Sequence, residues 1–221
     1  MSRPLRALAL AVACSIPTAA VAVPAMASPA AAQEAPSVAA AAQSALDALY
    51  ARSLASLGSS QWSFVGADAE LTVAVDTWVL ARKQLAALVA DRSSVPAEEL
   101  DAVWRDTSNE RLVATFTALT QVGVPYRRNA SSPGRGMDCS GLIMYAWGAA
   151  GVALPHQSSG QIRETDLVSK ESAEPGDLVW YPGHIMLYLG AGDAVVHAPQ
   201  TGRRVEVRDA SRIRKIGSPL G

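Results

Sequence analysis

Hydrophobic residues at helical spacing dominate the first half of the chain. One apolar stripe runs from about residue 37, a second from about Asp68 to Ala90, and a shorter third follows Pro96. Their members recur every three or four positions, as on one face of an α-helix: Leu46, Leu49, Tyr50, Leu54 and Leu57; Leu71, Val75, Trp78, Leu85 and Val89; Leu100, Val103 and Trp104. We interpret the stripes as packing faces and predict an α-helical hairpin segment with a short third helix.

A fourth helix is predicted from about residue 108. Thr107 and Glu110 have the spacing of a capping box, in which each side chain bonds a backbone N–H at the helix start. Apolar residues follow at helical spacing, and Gly123 and Pro125 end the helix. We place a domain boundary here, with a linker and helical segment over 28–108 and a second domain over 109–221.

The second half of the chain changes to a strand pattern. A helix is predicted to start at Cys139, and short β-type runs follow it: "LVWY" at 178, "HIMLYLG" at 184, "AVVHA" at 194 and "RRVEVRD" at 203. "EPGD", before the first run, has the residues of a type II turn. A helix leading into antiparallel strands predicts an α+β fold, with the cysteine helix packed on the sheet.

The N-terminus has the features of an export signal. Arg3 and Arg6 precede an apolar run, and "AMAS", residues 25–28, offers a small-residue cleavage site. Residues 1–27 are therefore predicted to be a signal peptide, and the protein to be secreted or held in the cell envelope. Lipid attachment at Cys14 is the weaker alternative, because apolar residues follow it.

Removal of the signal peptide would leave Cys139 as the only cysteine of the chain. Exported proteins usually pair their cysteines, so an odd one indicates an intermolecular bridge or a reactive thiol. Asp138 can cap the helix that Cys139 begins. A helix N-terminus favours an anion, so we expect a lowered thiol pKa and a nucleophilic cysteine. A buried, inert cysteine is the alternative, but its neighbours are polar.

A thiol nucleophile needs a base and a group that orients the base. His184 opens one predicted strand and His197 ends the next, so a hairpin between them would bring the imidazoles together. His156, in "LPHQSS", is expected to line the cleft or the surface. Spacings typical of metal ligands are absent from the sequence, so no metal is expected.

Four motifs resemble a known family of cell-wall cysteine peptidases. "DCSGL", "PGDLV", "GHIMLYLG" and "VVHA" occur in the order and spacing of the NlpC/P60 family, over about residues 109–221. The resemblance implies a papain-like α+β fold, no cofactor, and cleavage of peptidoglycan stem peptides, usually between D-γ-glutamate and meso-diaminopimelate. It also implies that Cys139 is the nucleophile, His184 the base and His197 the third polar residue, with Tyr126 beside the cysteine.

Candidate substrate or oxyanion groups are Tyr126, Asp138 and Ser140, together with backbone N–H groups at the start of the cysteine helix. Asp138 and Ser140 are better explained as helix-cap residues, and a packed aromatic is the alternative for Tyr126. Residues 111–221 hold 12 basic and 9 acidic side chains. That balance suits a substrate rich in carboxylates, and no nucleic acid partner is expected.

Residues 28–110 are acidic instead, with 11 acidic and 5 basic side chains. Opposite charge favours docking of the helices over or beside the cleft, where they would restrict access; a spacer is the alternative. Cell-wall or division proteins are candidate partners of this segment. An amidase or acyl transferase on the same scaffold, or a non-catalytic wall-binding module, remains the alternative function.

Overall fold

A computed structural model describes residues 37–59 and 67–220. The predicted signal peptide, Cys14 and the linker up to residue 36 lie outside the described residues. The helices are α1 Val38–Ser59, α2 Ala67–Ala90, α3 Ala97–Asp106, α4 Asn109–Leu119, α5 Cys139–Ala149 and α6 Ser158–Gln161. In this described part, every helix is too short or too polar to cross a membrane.

The strands form one large and one small antiparallel sheet. The small sheet pairs β1 Ser131–Ser132 with β2 Gly136–Met137. The large sheet has the order β3-β8-β4-β5-β6-β7. Its strands are β3 Asp166–Val168, β4 Leu178–Tyr181, β5 His184–Tyr188, β6 Ala194–His197, β7 Glu206–Asp209 and β8 Lys215–Ser218. The α+β class and all four predicted strands are confirmed.

Alternation along β5 gives the large sheet two different faces. Ile185 and Leu187 lie in the main core, where α5 packs against the sheet. Met186 and Tyr188 lie in a smaller apolar cluster on the other face. The sequence pattern assigns His184, at the first position of β5, to the second face as well. The sheet therefore packs α5 on one face and carries the smaller apolar cluster on the other.

The helices α1 to α4 add a second layer to the main core. α4 packs between α5 and α1, and α2 packs on α1 and α3. Trp78, Trp104 and Phe116 meet in this layer, with the Trp104 and Phe116 rings edge to face at 5.2 Å. The main core is continuous from Val38 to Val207, so it crosses the boundary that the sequence suggests near residue 108. That boundary stays a prediction.

The third helix packs at the end of the sheet that lies away from the histidines. The Trp104 indole N–H donates to the Leu189 carbonyl at 2.8 Å, in the turn between β5 and β6. Ser94, before α3, donates its backbone N–H to Asp209 at 3.0 Å, at the end of β7. His184 starts β5 and His197 ends β6, so these contacts are not over the cleft that the charge pattern suggested.

Two local predictions about the helices are wrong. The N-cap of α4 is Ser108, whose Oγ accepts the Arg111 backbone N–H at 3.5 Å, whereas Thr107 donates its hydroxyl to the Val103 carbonyl. The N-cap thus lies one residue later than predicted, and Arg111 at the third helical position cannot return the reciprocal bond of a capping box. The apolar stripe of α1 is only half buried: Leu46 and Leu49 are in the core, whereas the side chains nearer its C-terminus, Tyr50, Leu54 and Leu57, are exposed.

Candidate active site

Cys139 is the first residue of α5, as predicted, and Asp138 is its N-cap. Asp138 has extended backbone angles (φ −95°, ψ 178°), and its Oδ1 accepts the Gly141 backbone N–H at 2.7 Å. Residue 141 must be glycine in this arrangement. A Cβ there would lie 2.1 Å from the Ala130 carbonyl oxygen and 2.9 Å from His156 Nε2. The loop before the cysteine is therefore held tightly against the helix start.

The Asp138 carboxylate is the centre of a hydrogen-bond network. Besides the cap bond, Oδ1 accepts the Ser140 hydroxyl at 3.0 Å and lies 3.0 Å from His156 Nε2. Gln161 donates its side-chain N–H to the Ser140 carbonyl at 2.8 Å. Asp138 and Ser140 are both buried, and these bonds turn them toward the helix start. Their proposed roles toward substrate stay predictions.

The thiol of Cys139 is half-buried, and burial sets its acidity. Burial raises the pKa of the thiol, and the Asp138 charge acts in the same direction. Backbone N–H groups of Ile185, Ser140 and Cys139 itself oppose this effect. The net shift is upward, so the lowered thiol pKa expected from the helix position is wrong. Desolvation of the thiolate outweighs the dipole and N–H groups of the helix start.

The two candidate histidines are in direct contact, as the predicted hairpin requires. His184 Nε2 lies 2.7 Å from His197 Nδ1, and the rings meet edge to face with centroids 5.0 Å apart. The residues are only 6% and 5% exposed. The Cys139 thiol meets the backbone N–H of Ile185, the residue after His184. The thiol therefore lies at the start of β5, against the backbone of the residue that follows His184.

Burial also makes both imidazoles weak bases. Burial lowers the pKa of His184 to about 4, and the neighbouring charge on His197 adds to the effect. Burial lowers the pKa of His197 as well, although the Glu206 carboxylate opposes it. Because the thiol pKa is raised and the imidazole pKa is lowered, the resting site at neutral pH holds a neutral thiol beside two neutral imidazoles.

Tyr126 lies near the thiol, in the place that the motif suggests. Burial is the largest cause that raises the pKa of its phenol, and the charges of Cys139 and Asp138 raise it further. Its backbone N–H donates to the Arg203 carbonyl at 2.8 Å, which ties the loop before the cysteine to the strand region after β6. A role toward substrate stays a prediction for this residue.

Arginines surround the site. Arg128 acts electrostatically on Tyr126, and Arg203 and Arg208 act on His197. Arg212 lies 5.5 Å above the Tyr181 ring, which is itself 5.3 Å from His184. Among residues 37–59 and 67–220, the structure groups no three side chains able to hold a metal ion.

Two residues beside the site had no assigned role on the sequence alone. His156 bonds the cap carboxylate of Asp138, and Glu206 lies opposite His197 on the paired strand β7. The register of β6 with β7 would have revealed Glu206, because a hairpin between "AVVHA" and "RRVEVRD" pairs the two positions. No sequence spacing pointed to the contact between His156 and Asp138.

The chain is similar to known proteins over its C-terminal part. The sequence profile of the NlpC/P60 family matches residues 123–214. A probable endopeptidase of Mycobacterium tuberculosis is 39% identical over 101 residues, which are 44% of this chain and 26% of the relative. The bifunctional muramidase/DL-endopeptidase CwlT of Bacillus subtilis is 36% identical over 83 residues, 34% of this chain and 25% of that protein.

The chain thus spans about a quarter of the length of these curated relatives. Among solved structures, the NlpC/p60 domain of the peptidoglycan hydrolase SagA is 28% identical, with a TM-score of 0.45 over 49% of this chain and 97% of that one. The matched segment contains Cys139, His184 and His197. Residues 123–214 of this chain therefore match the NlpC/P60 family.

Proposed function

We propose that the protein is a cysteine peptidase that cleaves stem peptides of peptidoglycan. The observation that carries this proposal is that the Cys139 thiol, at the first turn of α5, contacts the start of β5, the strand that opens with His184 of the hydrogen-bonded pair His184 and His197. A nucleophile, a base and an orienting group are the three parts that thiol-dependent amide hydrolysis needs. The family match supports the same reaction class.

The neutral resting state determines how the thiol would be activated. His184 takes the thiol proton as the sulfur attacks the scissile carbonyl, so thiolate and imidazolium form only during attack. The backbone N–H groups of Cys139 and Ser140, which face the thiol at rest, are the candidate donors to the oxyanion of the tetrahedral intermediate. His184 then returns its proton to the leaving amine, and water hydrolyses the thioester in the second half of the reaction.

We assign the scissile bond to D-γ-glutamate and meso-diaminopimelate. Each of the two residues carries a free carboxylate. The arginines around the site supply complementary charge: Arg128, Arg203, Arg208 and Arg212. The relative CwlT is named a DL-endopeptidase, which agrees with cleavage after a D-residue. Amidase or acyl transfer activity on the same scaffold is the second candidate.

We further propose that the protein acts outside the cytoplasm, after removal of residues 1–27. The basic residues, the apolar run and "AMAS" in the sequence support export. Expression of the full chain in an actinobacterial host, followed by N-terminal sequencing of the wall and medium fractions, tests this proposal. A mature protein that starts near Ser28 supports it, and an intact Met1 in the cytosol contradicts it.

Mass spectrometry of digested muropeptides tests the activity. Purified protein is incubated with soluble muropeptides, with Cys139→Ala as the matched control for contaminating hydrolases. New D-glutamyl carboxyl groups support the proposed bond. Free stem peptides released from N-acetylmuramic acid indicate an amidase instead. Products that are equal for the wild type and the Cys139→Ala protein contradict a peptidase and favour a wall-binding module.

A further inference from the structure

Glu206 lies where it can act on the histidine pair. In the ladder between β6 and β7, His197 is paired with Glu206. Glu206 Oε1 is 3.4 Å from His197 Nε2. This nitrogen is buried, and it makes no regular hydrogen bond within the described residues. At 3.4 Å the contact is at the long end for N–H···O, and the Glu206 carboxylate is the acceptor group that faces that nitrogen.

The carboxylate of Glu206 is itself held in place. Arg203 Nη2 donates to Glu206 Oε2 at 2.5 Å, while Oε1 faces His197. The Glu206 side chain is about one-quarter exposed, so one oxygen is used by the surface arginine and the other is directed inward. Arg203 and Arg208 are the cations that also act on His197. Of the charged groups that act on His197, Glu206 is the carboxylate.

We propose that Glu206 is a positioning residue that sets the tautomers of His197 and His184, so that His184 presents a free Nδ1 to the Cys139 thiol. This inference rests on the proposed peptidase function. In this relay Glu206 acts on His197, and His197 acts on His184. His184 then acts on the Cys139 thiol.

The relay follows from the hydrogen-bonding rules of neutral imidazole, in which one ring nitrogen donates and the other accepts. A carboxylate beside His197 Nε2 requires the proton on that nitrogen, which leaves Nδ1 as an acceptor. The 2.7 Å contact then requires His184 Nε2–H to be the donor. His184 Nδ1 is left with its lone pair, and it is this nitrogen that accepts the thiol proton.

The same carboxylate would also stabilise the charge that forms during attack. When His184 becomes an imidazolium, its positive charge is shared toward His197, and Glu206 provides the balancing negative charge. Glu206 already opposes the effect of burial on the pKa of His197. It acts through His197 and does not touch the thiol, so its loss should slow turnover more than it weakens substrate binding.

The ring nitrogens of the full chain can be observed directly by ¹⁵N NMR. The chain has three histidines. In a His156→Gln protein the remaining imidazole signals belong to His184 and His197. In the wild type we expect His184 and His197 both as Nε2–H tautomers. Glu206→Met, which removes the acceptor at similar volume, should give mixed tautomers. Glu206→Gln keeps an acceptor oxygen without the charge and should retain most of the wild-type pattern.

Kinetics on soluble muropeptides provide the second readout. Glu206→Met should lower kcat about ten-fold, less than the roughly 10⁴-fold loss known for the orienting carboxylate of serine peptidases, with KM changed less than about two-fold. Glu206→Gln should fall between the two proteins. Asp209→Asn is the matched control, because it removes a carboxylate from the far end of the same strand, where it bonds Ser94. It should leave kcat unchanged.

Unaltered tautomers in Glu206→Met would overturn the proposal, whatever happens to kcat. An unchanged kcat, or a change in KM alone, would also overturn it. If Glu206→Met does not fold by circular dichroism, the isosteric Glu206→Gln decides the question through its intermediate kcat. If the wild type cleaves no muropeptide, the proposed function fails, whereas the tautomer measurement still tests the relay.

Discussion

Protonation of His184 should make the folded protein sensitive to mild acid. The unfolded chain titrates with a pKa near 6.5, whereas burial and the neighbouring His197 lower the pKa of folded His184 to about 4. Between these values the unfolded state binds the proton more readily, so stability falls as the pH falls from 6.5 to 4. The stability that depends on neutral His184 is fully present above pH 6.5 and completely lost below about pH 4.

The size of the effect follows from the two pKa values. Each pH unit in this window lowers the free energy of unfolding by up to about 1.4 kcal/mol for one group. The loss attributable to His184 is then about 2 kcal/mol at pH 5 and about 3 kcal/mol at pH 4. The residue is only 6% exposed, so solvent screening reduces these values little.

Urea denaturation of the wild type and of His184→Gln between pH 7.5 and 5 measures the effect. Carboxylates common to both proteins cancel in the difference between their free energies of unfolding. That difference should fall by about 2 kcal/mol from pH 7.5 to pH 5. Because the two imidazoles interact, His197→Gln and the double variant separate their contributions. A difference that stays constant with pH would show that folded His184 titrates as in the unfolded chain, and would refute the reasoning.

Three further predictions concern the site and the core beneath it. Cys139→Ala should abolish hydrolysis and leave the melting temperature within a few degrees, because the half-buried thiol fills little space; residual activity above about 1% contradicts a thiol mechanism. The acid limb of kcat/KM should lie near pH 4, since neutral His184 is the base; a limb near 6.5 contradicts this. Arg111→Met should lower the free energy of unfolding by about 3–5 kcal/mol in urea denaturation, because buried Asp177 loses its ion pair with Arg111, whose atoms are 2.6 Å apart. A decrease below about 1 kcal/mol refutes this prediction.

The elements with strong periodicity could be predicted from the sequence, and the weak ones could not. The α2 stripe from Trp78 onward and the alternation along β5 are set by local burial, which the order of residues reveals. Val75, earlier in the predicted α2 stripe, is exposed instead. β3 is a three-residue strand with mostly exposed side chains, and β8 contains Gly217. Each is defined by pairing with a distant part of the chain, and no short window of sequence carries that information.

The chemistry of the site divides in the same way. Cys139 and the two histidines could be found because each stands at the end of a periodic element. The direction of the thiol pKa could not, because it depends on how completely the folded chain excludes water from the sulfur. Glu206 was missed for a related reason: its relation to His197 exists only in the strand register.

The placement of the helical segment shows which force decides such an arrangement. Opposite net charges favoured docking near the cleft, but exposed ion pairs contribute only about 0–1 kcal/mol each. Trp104 is fully buried and bonds the Leu189 carbonyl, and truncation of such a side chain costs about 3–5 kcal/mol. Apolar burial therefore places α3 against the β5–β6 turn. Because Trp78, Trp104 and Phe116 form one aromatic cluster, these helices complete the core that α5 and the sheet share, and α3 packs away from the histidine-bearing end of the sheet.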